Sequence, residues 1–224
     1  MTELSRRQAL AGLGSVGLGA LLAGCGSDEQ RTGTTATTAA QFSDTSNCAL
    51  TPQETEGPYY FDADAVRSDI REDRKGTRLR LAVRVRDAAC KPIRDAVVDI
   101  WHCDAEGSYS GFQQASGERF LRGVQPTNSD GIAEFTTVYP GWYQGRTVHI
   151  HAKIHLDRTT VLTTQFYFDE AITKQVYARE PYASRSGRQV FNDGDQLYDE
   201  RLLLKLSRDG DGWRGLFATD VSEA

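Results

Sequence analysis

The sequence predicts an all-β protein, a β-sandwich, preceded by a segment that is not part of the fold. Three observations carry this expectation. Short runs of β-branched and aromatic residues recur through residues 47–224, breaks rich in Gly and Asp separate them, and sustained helical periodicity is almost absent.

Each element follows from its own pattern. Residues 79–86 place Leu79, Leu81, Val83 and Val85 on one face and Arg80, Arg84 and Arg86 on the other, the pattern of a strand with a solvated basic face. Residues 96–101, 132–138, 147–156 and 161–168 are further strands by composition. Residues 201–207 and 213–219 flank Asp209-Gly210-Asp211-Gly212, a hairpin signal. Only residues 170–178 offer one or two helical turns.

The N-terminus has a different character. Arg6-Arg7 precede a Gly- and Ala-rich apolar run ending at Ala23, shorter than the ~20 residues a spanning helix needs, so residues 1–25 read as a signal segment. The paired arginines and weakly hydrophobic core indicate export by the twin-arginine route. Leu22-Ala23-Gly24-Cys25 resembles a bacterial lipobox, which makes Cys25 an acylated first residue of an extracytoplasmic, membrane-anchored lipoprotein. Ordinary cleavage without lipid is the alternative. Residues 26–46 are mostly Ser, Thr, Ala, Gly and Gln, a disordered tether that cannot offset its ordering entropy by burial. Residues 47–224, about 180, suffice for one domain with a real core.

A net charge of −5 argues against nucleic acid as a partner, because phosphate binding leaves a basic footprint. The chain has four cysteines. With Cys25 acylated, an exported chain can oxidise one pair of the rest. Cys48 and Cys90, both at element edges, are the favoured pair, with Cys103 a buried thiol.

Residues 147–156 carry the chemistry. In a strand, His149 and His151 share one face while Val148, Ile150, Ala152 and Ile154 line the other. Two neutral imidazoles side by side form a bidentate metal clamp, and three of the chain's four histidines, His155 included, project from this face. His155 lies near the strand end and reads as exposed. Zinc would call for a third His, a Cys or a carboxylate, and a ferrous oxygenase for a carboxylate; no nearby motif supplies one. The nearby donors are phenols, Tyr143 just before the strand and Tyr109 in Trp101-His102-Cys103-Asp104-Ala105-Glu106-Gly107-Ser108-Tyr109. Tyrosinate is a hard donor that suits Fe(III).

These two stretches resemble those of the intradiol ring-cleavage dioxygenases, non-haem Fe(III) enzymes that split a catechol between its hydroxyl-bearing carbons with dioxygen. The resemblance extends from about Cys48 to Phe168 and implies a β-sandwich, one Fe(III) per chain, and a small aromatic diol and O2 as reactants, with a cis,cis-muconate-type diacid as product. It implies Tyr109, Tyr143, His149 and His151 as metal ligands, with Tyr143 the one that leaves iron and takes up a substrate proton. It implies Arg146 as the cation stabilising charge on the ring, Gln165 as the pocket glutamine, Thr55, Pro58 and Tyr59 as the segment across the pocket mouth, and Trp101 as a pocket wall. His102 and Asp104 match no ligand position and read as structural. The helical N-terminal region of the family's catechol-specific branch has no counterpart. The turn from Tyr143 to Arg146 is short beside the protocatechuate enzymes, and Asn128 stands where relatives often have Asp; both are expected to reshape the pocket, leaving the particular diol open. The oligomeric state is also open. The competing readings are a lipid-anchored β-sandwich binding module and a zinc or copper protein built on the two histidines.

Overall fold

The computed structural model describes residues 38–42 and 48–222. The signal segment with Arg6, Arg7 and Cys25 lies outside the described residues, as does the expected tether apart from residues 38–42. Alternation places β1 (Arg78–Asp87) at the centre of one sheet, antiparallel to β4 (Ile132–Val138) and parallel to β8 (Gly212–Val221), with β7 (Lys205–Asp209) at the edge beyond β8. The second sheet is antiparallel, ordered β3 (Arg122–Pro126), β2 (Val97–Trp101), β5 (His149–Leu156) and β6 (Thr159–Tyr167).

The two sheets meet through their apolar faces. Leu79, Leu81, Val83 and Val85 of β1, Val98 and Ile100 of β2, Ile150, Ala152 and Ile154 of β5, and Phe166 of β6 join one buried core. The Phe166 ring packs on Phe217 of β8 at 4.6 Å between centroids. Because period-2 alternation commits Ile150 to this core, His149 and His151 must face away from it. That outward face is also buried, because long loops cover it.

Several elements differ from the sequence reading for physical reasons. β3, Arg-Gly-Val-Gln-Pro, has one aliphatic side chain and a proline; it is an edge strand held by its register with β2 rather than by its own pattern. β5 starts at His149, because Thr147 is occupied with loop contacts. Residues 200–202 form a 3-10 turn, and the last hairpin pairs Asp209 with Gly212. Helix α1 (Glu170–Tyr177) begins at Asp169, whose carboxylate accepts from the Ile172 N–H. Residues 38–42, expected within the tether, pack on the outer face of the first sheet. There Phe42 is buried with Ala82, Ile132 and Leu216, and the Thr38 hydroxyl donates to Glu134 at 2.7 Å. Phe42 is the apolar side chain that lets this polar stretch bury surface.

Cys48 and Cys90 form a disulfide with Cα atoms 5.5 Å apart, tying the start of the domain to the turn after β1. Cys103 is a buried free thiol. The solvated reading of the β1 arginines fits Arg80, partly exposed and paired with Asp209 at 2.6 Å. It fails for Arg86. That side chain is 6% exposed and makes a two-pronged pair with Asp220, directly opposite on β8, at 2.8 and 3.1 Å. Removing one partner of such a pair strands a buried charge. Asp220→Ala should therefore cost about 3 kcal/mol or more in urea unfolding, against less than about 1 kcal/mol for Arg80→Ala; equal costs would contradict this account.

Candidate metal centre

A cross-strand row builds the site. Trp101, His151 and Gln165 lie opposite one another on β2, β5 and β6, and His149 lies opposite Tyr167. His149 and His151 are 2% and 1% exposed, and their Nε2 atoms approach to 3.0 Å. The Nδ1 of His149 lies 2.7 Å from the Thr147 carbonyl, a contact that places its proton on Nδ1 and leaves the Nε2 lone pair facing inward. The Tyr143 hydroxyl sits 3.0 Å from that same Nε2. His151 stacks flat on Trp101, with centroids 4.9 Å apart and planes at 5°. Trp101, expected as a pocket wall, is fully buried and instead backs this imidazole.

The phenols arrive on loops that are pinned together. A Cβ on Gly141 would lie 2.3 Å from the Ala105 carbonyl oxygen, so only glycine lets the loop after β4 approach the loop after β2. The Gly141 N–H donates to the Asp104 carbonyl and the Cys103 thiol to the Gly141 carbonyl. The Asp104 carboxylate accepts from the Glu106 and Ser108 N–H groups, shaping the turn that delivers Tyr109. Tyr109 then stacks on Tyr59 at 4.5 Å and meets Tyr143 edge to face at 5.6 Å. His102 is buried between the Cys103 carbonyl and Thr137, both at 2.7 Å, as a structural residue would be.

Arg122, which no sequence signal marked, holds this corner. Its buried guanidinium donates to the Ser110 hydroxyl and carbonyl and to the Tyr59 carbonyl, fixing Tyr59 and the residue after Tyr109 at once. Burial lowers its pKa to about 10, which still leaves it charged at neutral pH.

Electrostatics show what the site is suited to hold. Burial, reinforced by Arg146, pulls the His149 pKa down to about 3, and burial with His149 depresses His151 further, so both imidazoles stay neutral. Burial also pushes both phenols well above their ordinary pKa, with Cys103 and Tyr143 adding to the effect at Tyr109, while Arg146 pulls Tyr143 the other way. Among the described residues the Tyr109 hydroxyl makes no well-aligned hydrogen bond, and the polar group that acts on it is the Tyr143 hydroxyl. A buried phenol faced by a second phenol, beside two neutral imidazoles, fits a cation, which would invert this pKa logic. No group of three His, Cys, Asp or Glu side chains occurs among the described residues that could hold a metal, so an ion here must draw on phenol oxygen. That donor set fits Fe(III).

Arg146 lies close enough to act on both imidazoles. Its Nη2 donates to the Gln165 side-chain oxygen at 2.7 Å, its Nε to Asp195 at 2.9 Å, and the Gln165 amide donates to the Thr55 carbonyl at 2.9 Å. Residues 54–62 thus strap the imidazole face. Gly57, at φ +71°, lies so close that a Cβ would be 3.3 Å from the His151 ring. Thr55 and Pro58 are exposed on this strap, and Tyr59 lines a cleft of about 620 Å³ that also contacts Tyr109, Tyr143, Phe112 and Gln144. His155, beyond a bulge, bonds to Thr160 away from the site. Asn128 does not line that cleft. It accepts from the Asp130 and Ile132 N–H groups in the turn between β3 and β4, and it sits there because that turn needs a side-chain acceptor.

Comparison with known proteins agrees with this geometry. The family profile described as Dioxygenase (Dioxygenase_C) matches residues 55–186, more than half of the chain. A chlorocatechol 1,2-dioxygenase of Rhodococcus opacus is 31% identical over 168 residues, covering 65% of this chain and 59% of that protein. The chain thus spans about three fifths of the length of the chlorocatechol 1,2-dioxygenases it matches. Among solved structures, an intradiol ring-cleavage dioxygenase from Tetranychus urticae is 34% identical, with a TM-score of 0.74 over 78% of this chain and 95% of that one. The dioxygenase domain of a dioxygenase carbohydrate-binding protein fusion from Streptomyces sp. SirexAA-E is 32% identical, with a TM-score of 0.61 over 79% of this chain and 100% of that one. With its β-sandwich, its paired imidazoles and phenols, and these matches, the chain belongs to the intradiol ring-cleavage dioxygenase family.

Proposed function

We propose that this protein is an exported, lipid-anchored ferric dioxygenase that cleaves a catechol-type ring between its two hydroxyl-bearing carbons with dioxygen, giving a cis,cis-muconate-type diacid. The observation that carries the reading is the convergence of the Tyr143 hydroxyl and the His151 Nε2 on the His149 Nε2, each at 3.0 Å, beside the buried Tyr109 hydroxyl, which makes no well-aligned hydrogen bond. Tyr109, Tyr143, His149 and His151 would hold the ion. A bound Fe(III) would supply Lewis acidity, lowering the pKa of the diol hydroxyls and making the ring electron-rich enough to react with dioxygen.

The residues divide the remaining work. Tyr109 is 5% exposed and stacked on Tyr59, the position of a permanent ligand. Tyr143 is half-buried on a loop and lines the cleft, so its phenol oxygen, which would help hold the ion, would also be placed to accept a diol proton. Arg146, a fixed positive charge tied to Gln165, stabilises negative charge developing on the ring. The strap through Thr55 and the Trp101 stack shield the imidazoles from water. Residues 1–25 would direct export and residue Cys25 would carry the lipid, with the domain from residue 47 presented outside the membrane.

Three outcomes test this reading. Metal analysis of protein made with iron available should find about one iron per chain, and Tyr109→Phe should shift or bleach the visible absorption; stoichiometric zinc without iron would contradict it. With catechol, protocatechuate or hydroxyquinol under labelled dioxygen, the product should be a muconate-type diacid carrying the label, and Arg146→Lys should lose turnover by ~100-fold while still binding the diol. A yellow semialdehyde would instead mean cleavage beside the diol. For location, Arg6→Lys with Arg7→Lys should leave precursor in the cytoplasm, and Cys25→Ala should release the protein from membranes; unchanged fractionation of the Cys25 variant would remove the lipid anchor from the account.

A further inference from the structure

Arg146 is surrounded on the protein side by groups that use two of its three nitrogens. Nε donates to the Asp195 Oδ2 at 2.9 Å and Nη2 to Gln165 at 2.7 Å, with Tyr167 at 3.4 Å. Nη1 has no partner among the described residues, and the side chain keeps 16% exposure. The guanidinium is a planar fork, so fixing Nε and Nη2 also fixes the direction in which Nη1 points.

Asp195 does more than pair with a charge. Its side chain is 2% exposed, and the same Oδ2 that accepts from Arg146 also accepts the Thr147 N–H at 2.8 Å. The Thr147 carbonyl is the group that orients the His149 ring. The other carboxylate oxygen accepts the Leu197 N–H at 2.9 Å, and the Leu197 carbonyl in turn accepts the Tyr167 hydroxyl at 2.9 Å. From the same loop, Asn192 and Arg188 hold the Thr147 hydroxyl at 2.7 and 3.1 Å. A loop 48 residues downstream of Thr147 therefore ends in a single oxygen that bridges Arg146 and the anchor of His149.

We propose that Asp195 is the positioning residue of the site. One carboxylate oxygen sets the guanidinium of Arg146 in the orientation that leaves Nη1 for the reacting ring, and through Thr147 it fixes the His149 imidazole. The assignment rests on the proposed role of Arg146. The second carboxylate oxygen matters here, because an amide keeps one acceptor and puts an NH2 donor where the other stood, so either the Leu197 N–H that holds the loop or the Arg146 and Thr147 donors lose their acceptor. The loop that carries Asp195 lies past the 55–186 stretch matched by the family profile, so the site is completed by a part of the chain that the profile does not cover.

The test is a double-mutant cycle with Asp195→Asn, Arg146→Lys and the pair combined, read by steady-state kinetics on the iron-loaded protein and by crystal structures of each variant. Asp195→Asn should lower kcat by roughly 30-fold or more with KM changed less than about threefold, and in the Arg146→Lys background it should lower kcat by less than about threefold further. In the crystal the Arg146 guanidinium should leave its Gln165 contact or occupy more than one orientation. An equal loss in both backgrounds, or a raised KM at unchanged kcat, would show that Asp195 does not act through Arg146. If the parent protein turns over none of the diols, the proposed function fails, and the positioning role is then decided by the crystal structures alone. A guanidinium within about 0.5 Å of its parent position in Asp195→Asn overturns it. Asp195→Ser, which keeps a small acceptor for the Thr147 amide, takes the place of the Asn variant should that protein not fold.

Discussion

Burying two imidazoles and two phenols at one point is costly unless something joins them. Desolvation keeps the imidazoles neutral and the phenols protonated, and the Tyr109 hydroxyl makes no well-aligned hydrogen bond among the described residues. The rest of the structure is arranged around that constraint. Alternation along β5 sends Ile150 into the core and the histidines outward, and loops, the 54–62 strap among them, then cover them. Trp101 backs one imidazole and Thr147 orients the other. A single ion accepting all four donors would turn this expensive cluster into the tightest-held part of the molecule.

Much of this was legible in the sequence, but unevenly. Strands with clean alternation, such as β1 and β5, announce themselves, because one face must be apolar and the other need not be. The His-Ile-His spacing likewise fixes a shared face before any fold is known. β3 was not legible, since an edge strand with one aliphatic residue is specified by its neighbour. Arg86 misled for a related reason: alternation says which face a side chain takes, and only the fold reveals that Asp220 waits there.

Long-range partners were the least visible. Asp195 and Arg122 meet their targets across 49 and 63 residues, and nothing local distinguishes either from a surface charge. Trp101 was placed at the site, and the fold adds that it stacks on His151, a contact that proximity in sequence does not reveal. Asn128 shows the converse, a residue expected at the pocket that the fold uses as a turn acceptor. Phe42 adds a smaller lesson: one aromatic in a polar tether is enough to dock five residues against a sheet.

The central claim is that Tyr109, Tyr143, His149 and His151 surround one ferric ion. Anomalous diffraction collected on either side of the iron absorption edge, from crystals of protein made with iron available, tests it most directly. The account predicts one peak bounded by the two phenol oxygens and the two Nε2 atoms. A peak held by the histidines without either phenol, or iron bound only elsewhere on the chain, would contradict it.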